Sequence, residues 1–102
     1  RTGAESDLAV TAMFVFIGFR PNTGIIDGHV DHDEMGYLLT DVNMETSIDG
    51  MFAAGDVRAQ LTRQVTTAAG DGTTAAIAAE KYLSSLRDAS VGRVVATGGY
   101  AV

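Results

Sequence analysis

The run Ala12–Ile17 (Ala-Met-Phe-Val-Phe-Ile) is apolar at every position and ends at Gly18, and it limits the fold more than any other feature of the chain. A strand with one wet face alternates polar and apolar residues. A run without alternation needs cover on both faces. Its short length, its Phe and Val content and the closing glycine predict a fully buried strand rather than a helix. The expected class is α/β, with short strands, a small antiparallel element and one long C-terminal helix.

That helix is predicted from about Arg63 to Leu86. Val65, Ala69, Gly72, Ala76, Ala79, Leu83 and Leu86 step by three and four residues, which stacks them on one face. Small residues dominate the first half and bulky ones the second. Gly70 and Gly72 each cost about 1 kcal/mol of helix propensity relative to alanine, so a close approach to a neighbour is the expected compensation. The helix is expected to fade near Arg87-Asp88.

Between run and helix the chain is broken into short pieces. Arg20-Pro21-Asn22-Thr23-Gly24 reads as a turn, because proline fixes one backbone angle and Asn22 can bond its local backbone. Asp33 to Thr40 reads as a turn and a short strand, with Gly36 at the position that needs positive φ. Thr46 to Gly50 is a second turn. Met51-Phe52-Ala53-Ala54 is a brief apolar strand stopping at Gly55-Asp56, with small residues at the carboxyl end where ligands sit in open α/β sheets. A further strand is expected at Arg93–Thr97.

Composition closes off several functions. There is no cysteine, so the chain carries no dithiol chemistry and no thiolate zinc site. Net charge is −6, and no Lys or Arg lies between Arg20 and Arg58, which opposes a nucleic-acid partner. No stretch approaches the roughly 20 apolar residues of a membrane span, and the residues up to Val10 lack the layout of a secretory signal. His29, Asp31, His32, Asp33 and Glu34 place five possible metal ligands in six residues. Their spacing fits neither the calcium loop nor the short zinc patterns, so no metal site is expected and the segment reads as an exposed acidic turn. No nucleophile–base arrangement or dinucleotide fingerprint is present, and no catalytic residue is assigned.

Two features could meet a ligand. Asp56, directly after a small-residue strand, can accept hydrogen bonds from hydroxyl groups, although a turn aspartate capping its own loop has the same signature. The start of the long helix carries unpaired N–H groups and about half a positive charge, with Arg63 beside it.

Taken in order, these segments resemble the C-terminal part of the thioredoxin reductase family and its flavoprotein relatives. Phe14 to Thr23 is similar to the family's buried strand and its Gly-x-x-Pro-Asn-Thr turn. Glu34 to Asp41 is similar to its Gly-Tyr-Ile-x-Thr-Asp segment, and Thr46 to Asp56 to its Thr-Ser-x-x-Gly-x-Phe-Ala-Ala-Gly-Asp flavin motif. Arg63-Gln64-Val65, Ala68 to Gly72 and Ala79 to Leu83 follow its terminal helix. The resemblance implies a partial FAD/NAD(P)-binding, Rossmann-like domain over residues 7–86, with 87–102 a tail outside it.

It further implies that Asp56 bonds FAD hydroxyls and that Gly55 lets the chain pass close to the cofactor. Arg63, Gln64 and Val65 meet the flavin and its ribityl chain, and Ala68 and Gly72 line a close-packed helix face. Members of the family work as cytoplasmic homodimers and move electrons from NADPH through FAD to a Cys-x-x-Cys pair and then to a thioredoxin-like protein. The dinucleotide fingerprint, the NADPH domain and the cysteine pair have no counterpart in residues 1–102. The chain is therefore expected to be a fragment, inactive alone, that pairs with the missing N-terminal half or with another copy of itself. The alternative is a structural or regulatory remnant of the same fold that has lost its cofactor.

Overall fold

The structure is a computed structural model and describes residues 2–90; the expected strand at Arg93–Thr97 lies outside them. Among the described residues the element order is a 3₁₀ turn at Gly24–Ile26, a second 3₁₀ turn at Gly55–Val57 and one helix, α1, at Val65–Ser90. Among these residues, pairing between extended pieces is confined to three isolated bridges: His32 with Leu38 antiparallel, Leu38 with Arg58 parallel, and Glu45 with Phe52 antiparallel. Leu38 is thus the meeting point of two extended pieces. Its N–H donates to Val57 O at 2.9 Å and its carbonyl accepts from Ala59 N at 2.8 Å.

The two polar turns before Phe52 are built alike. One oxygen of Asp33 accepts the N–H groups of Met35 and Tyr37, both at 2.9 Å. One oxygen of Asp41 accepts those of Asn43 at 2.8 Å and Glu45 at 3.0 Å. In each turn the third residue after the aspartate has positive φ: Gly36 at 92° and Met44 at 65°. Aspartate favours such turns because its carboxylate replaces backbone acceptors that the bend removes. Glycine suits the first position, as the sequence indicated. The methionine at the second is held in the left-handed region while its side chain is buried.

The core is small. Val30, Leu38 and Ala53 form it, with Ile26, Met51 and Val57 half-buried against them. α1 lies along the segment from Gly50 to Gln60. The Tyr82 ring meets Phe52 edge-on with centroids 6.3 Å apart, and Ala68 Cβ lies 3.4 Å from where a side chain at Gly55 would begin.

Three expectations are overturned here. Residues 51–54 and the piece after Gly36 carry isolated bridges rather than strands, because each pairs at one residue only, Phe52 and Leu38 respectively. Ala12–Ile17 forms no strand and is exposed along its length, with Phe16 81% and Ile17 94% accessible. A strand needs pairing partners for its N–H and C=O groups, and no described segment lies beside it to supply them. The Cα radius of gyration, 20.8 Å, exceeds the roughly 13 Å of a compact 100-residue domain and agrees with this open arrangement.

The helix also presents a different face. α1 begins at Val65 rather than Arg63 and runs past Arg87-Asp88 to Ser90. Of the apolar series expected to be covered, Val65, Ala69, Gly72, Ala76, Leu83 and Leu86 are exposed and Ala79 alone is half-buried. The covered row is Ala68, Asp71, Ala75, Ala78 and Tyr82, also spaced by three and four. Alanine occurs on both rows, so periodicity alone does not choose between them. Asp71 and Tyr82 decide the choice, because each finds a specific partner on the segment below.

Candidate functional site

The end of the apolar segment, the Tyr37 turn, the second 3₁₀ turn and the approach to α1 converge on a pocket of about 300 Å³. Phe19, Arg20, Pro21 and Asn22 form one side; Tyr37, Asp56, Val57 and Arg63 form the rest. This volume is at the lower end for small-molecule sites, room for part of a large ligand rather than all of one.

Two groups in it have unused bonding capacity. Asp56 is exposed, and no described side chain or backbone group bonds its carboxylate. Arg63 Nε is buried and has no hydrogen-bond partner among the described residues. A buried donor left unpaired costs about 1–3 kcal/mol, so its usual explanation is an acceptor that arrives with a ligand or water. The Arg63 guanidinium lies 4.0 Å from the centroid of the buried Tyr37 ring, a cation–π contact that fixes the side chain at the pocket wall.

Behind the pocket, α1 is tied to the second 3₁₀ turn through a single carboxylate oxygen. Asp71 Oδ2 accepts from Arg58 Nη1 at 2.8 Å, Gly55 N at 3.0 Å and Gln60 Nε2 at 3.2 Å. Gln60 Nε2 also donates to Gly55 O at 2.7 Å, and Arg58 Nε donates to Thr40 Oγ1 at 2.7 Å. The Arg58 and Asp71 side chains are only 14% and 13% accessible, so solvent screens this pair poorly.

The Arg58 hydrogen bond, aided by the Gly55 N–H, the Arg58 charge and the Gln60 amide, holds the Asp71 carboxyl below its ordinary range, against the opposing effect of burial. A carboxyl depressed in the folded state adds stability above its unfolded pKa, about 3.9, and loses it as pH falls through the folded value. Asp71→Asn should therefore flatten the decline of the urea midpoint below about pH 4. An identical decline in parent and variant would contradict the linkage.

The sequence-derived residues fall into three groups. Asp56 and Arg63 line one pocket, and Gly55 and Ala68 touch one another immediately behind it. Gly55 has φ of +80° and its N–H is already used by Asp71, so the close neighbour at this glycine is α1. Gln64 and Val65 are exposed at the start of α1; Gln64 O accepts from Thr67 Oγ1 at 2.9 Å and from Ala68 N at 3.0 Å. Gly72 is set apart from the others. Nothing lies within 4 Å of the position a side chain would take there, so the expected close approach is absent among the described residues.

Sequence reasoning passed over Tyr37, Arg58, Gln60 and Asp71. An available signal was a lone acid at position 71 among alanines, glycines and threonines, where a charge has no purpose unless paired. No three His, Cys, Asp or Glu among the described residues are grouped to hold a metal. His32 Nε2 lies 3.8 Å from Asp27 Oδ1 at the surface. No described helix is long and apolar enough to cross a membrane.

With the pocket and its support in place, the class of protein follows. Residues 1–72 match the pyridine nucleotide-disulphide oxidoreductase family, and the chain belongs to it. Within that family it is similar to the thioredoxin reductase of Peptoclostridium litorale, at 50% identity over 74 residues covering 72% of this chain and 24% of the relative. A 34.2 kDa protein in the rubredoxin operon of Clostridium pasteurianum is 48% identical over 83 residues, 81% of this chain and 27% of that protein. The crystal structure of thioredoxin reductase from Streptococcus pyogenes superposes with a TM-score of 0.70 at 43% identity, over 82% of this chain and 28% of that one. The chain spans about a quarter of the length of these relatives.

Proposed function

We propose that residues 7–86 supply part of the FAD-binding, Rossmann-like domain of an NADPH-dependent flavoprotein oxidoreductase of the thioredoxin reductase type. The observation that supports this best is the meeting of Asp56 and Arg63 in one pocket, the first an exposed carboxylate with no bond to the described chain and the second carrying a buried Nε without a partner. A flavin dinucleotide offers what both lack. Its ribityl hydroxyls donate to a carboxylate, and its carbonyl and phosphate oxygens accept from a guanidinium.

On this reading Asp56 holds the hydroxyl-bearing linker and Arg63 an electron-rich oxygen. Gln64, Val65 and Ala68 place the start of α1 beside the ring system, where the positive helix end favours negative charge. Gly55 acts by keeping the turn against α1. Gly72 joins the site only if further chain lies over the open face of the helix. FAD supplies two-electron chemistry when bound; the residues of this chain bind and orient it.

The family resemblance adds, as part of the same proposal, NADPH and a redox-active cysteine pair outside residues 1–102, a separate thioredoxin-like protein as acceptor, homodimeric assembly and a cytoplasmic location.

The test is equilibrium titration of the full protein with FAD, followed by quenching of flavin fluorescence, and then NADPH-dependent reduction of thioredoxin disulfide. Saturable FAD binding with acceptor reduction is the expected result. A full protein that stays colourless and leaves flavin fluorescence unquenched is the cofactor-free remnant instead.

A further inference from the structure

Asp56 is held to the body of the chain through its neighbour, and the neighbour is held from α1. The N–H of Gly55, the residue before Asp56, donates to Asp71 Oδ2 at 3.0 Å. Arg58, two residues after Asp56, donates to the same oxygen at 2.8 Å, and its own N–H returns to Gly55 O at 3.1 Å. Gln60 bridges the two partners, with Nε2 3.2 Å from Asp71 Oδ2 and 2.7 Å from Gly55 O. The 3₁₀ turn carrying Asp56 is therefore clamped at both ends by one atom fifteen residues further along the chain.

We propose that Asp71 is a positioning residue for the ligand pocket: its carboxylate fixes the Gly55–Val57 turn against α1 so that the unpaired Asp56 carboxylate stands at the pocket wall. Three independent observations carry this. The three donors come from separate residues and converge on one oxygen, which sets the turn in position and in rotation. Gly55 is buried with φ of +80°, a conformation open to glycine, and its N–H is spent on Asp71, so the turn is held against α1 at this residue. Asp56 itself has no bond to any described residue, so its orientation follows from the turn that carries it.

An aspartate suits the task better than a neutral amide. Ionised, Oδ2 is an acceptor only and meets three donors without conflict, whereas an asparagine would direct one N–H₂ or one weaker oxygen at them. Position 71 therefore acts through Asp56, and the ligand identity in the test rests on the flavin reading above.

The discriminating experiment is a double-mutant cycle on the full protein with FAD as the probe, comparing the parent, Asp71→Asn, Asp56→Ala and the double variant. If Asp71 works by aiming Asp56, D71N should raise the FAD dissociation constant about tenfold in the parent. In the Asp56→Ala background it should raise it less than about twofold, because contacting residues that share a task are not additive. Equal effects in the two backgrounds would reduce Asp71 to a general structural role and overturn the proposal.

Amide hydrogen exchange at Gly55 gives a readout independent of cofactor. Protection in the parent and faster exchange in D71N, with α1 unaffected, supports the clamp; unchanged exchange overturns it. Failure of the parent to bind FAD would remove the flavin reading and leave the exchange arm to decide the clamp. If D71N does not fold, Arg58→Gln replaces it in the double-mutant cycle. It keeps the Asp71–Gly55 bond and removes one donor, so a weaker coupling of the same sign is expected, and no coupling is again a refutation.

Discussion

Replacing Asp56 with alanine should raise the dissociation constant for FAD by about 10- to 100-fold, the loss expected for a charge-assisted hydrogen bond worth about 1.5–3 kcal/mol. Thermal and urea midpoints of the unliganded protein should not move. Both halves of the expectation have the same origin. Asp56 is exposed and makes no bond to the described chain, so folding gains nothing from its carboxylate. It lies on the wall of the pocket that also holds Arg63, so a ligand with hydroxyl groups gains much. The alternative seen in the sequence, a turn aspartate capping its own loop, predicts the reverse: a lower midpoint and unchanged affinity. Asp33 and Asp41 are aspartates of that second kind, each bonded to two N–H groups of its own turn. Asp56→Asn should fall between, keeping an acceptor and losing the charge.

The contrast among these three aspartates shows what the sequence made legible. Asp-x-x-Gly at 33–36 announces a turn because only glycine adopts positive φ without strain. The equivalent Asp-x-x-Met at 41–44 gives no such notice and is recognisable only from its hydrogen bonds. The Gly55-Asp56 pair and the start of α1 were readable as neighbours because small residues end the one element and Ala and Gly dominate the first half of the other. The register of α1 was not readable. Two rows of alanine at helical spacing are equivalent in apolarity, and a non-local bond from Asp71 to Gly55 chooses between them. The run Ala12–Ile17 illustrates the complementary limit. Its composition states that both faces require cover, but composition cannot supply the covering segments, and the described residues leave it exposed. A sequence reports what a segment needs; only the assembled chain reports what it meets.

The largest stability effect should come from Gly55→Val, and Gly72→Ala should act in the opposite direction, although the one glycine packs against α1 and the other lies within it. At Gly55, φ is +80° and a new Cβ would lie 3.4 Å from Ala68 Cβ and 3.8 Å from Ala68 Cα. The left-handed conformation costs an L-residue about 1–2 kcal/mol, more when it is β-branched. Further methyl groups against Ala68 add an overpacking cost of about 1–3 kcal/mol. The sum, about 2–5 kcal/mol, is a large part of the stability of a small domain. Relief by rotating the turn would pull the Gly55 N–H from Asp71 and carry Asp56 with it, so FAD affinity should fall together with the urea midpoint. At Gly72 nothing lies within 4 Å, and the residue is exposed in mid-helix. Alanine there should add about 0.5–1 kcal/mol through helix propensity, with no change at the pocket. A destabilising Gly72→Ala in the full protein would mean that another segment does press on that face, which is the close approach first expected from the sequence. The pair of midpoints thus identifies the side of α1 on which its nearest neighbour lies.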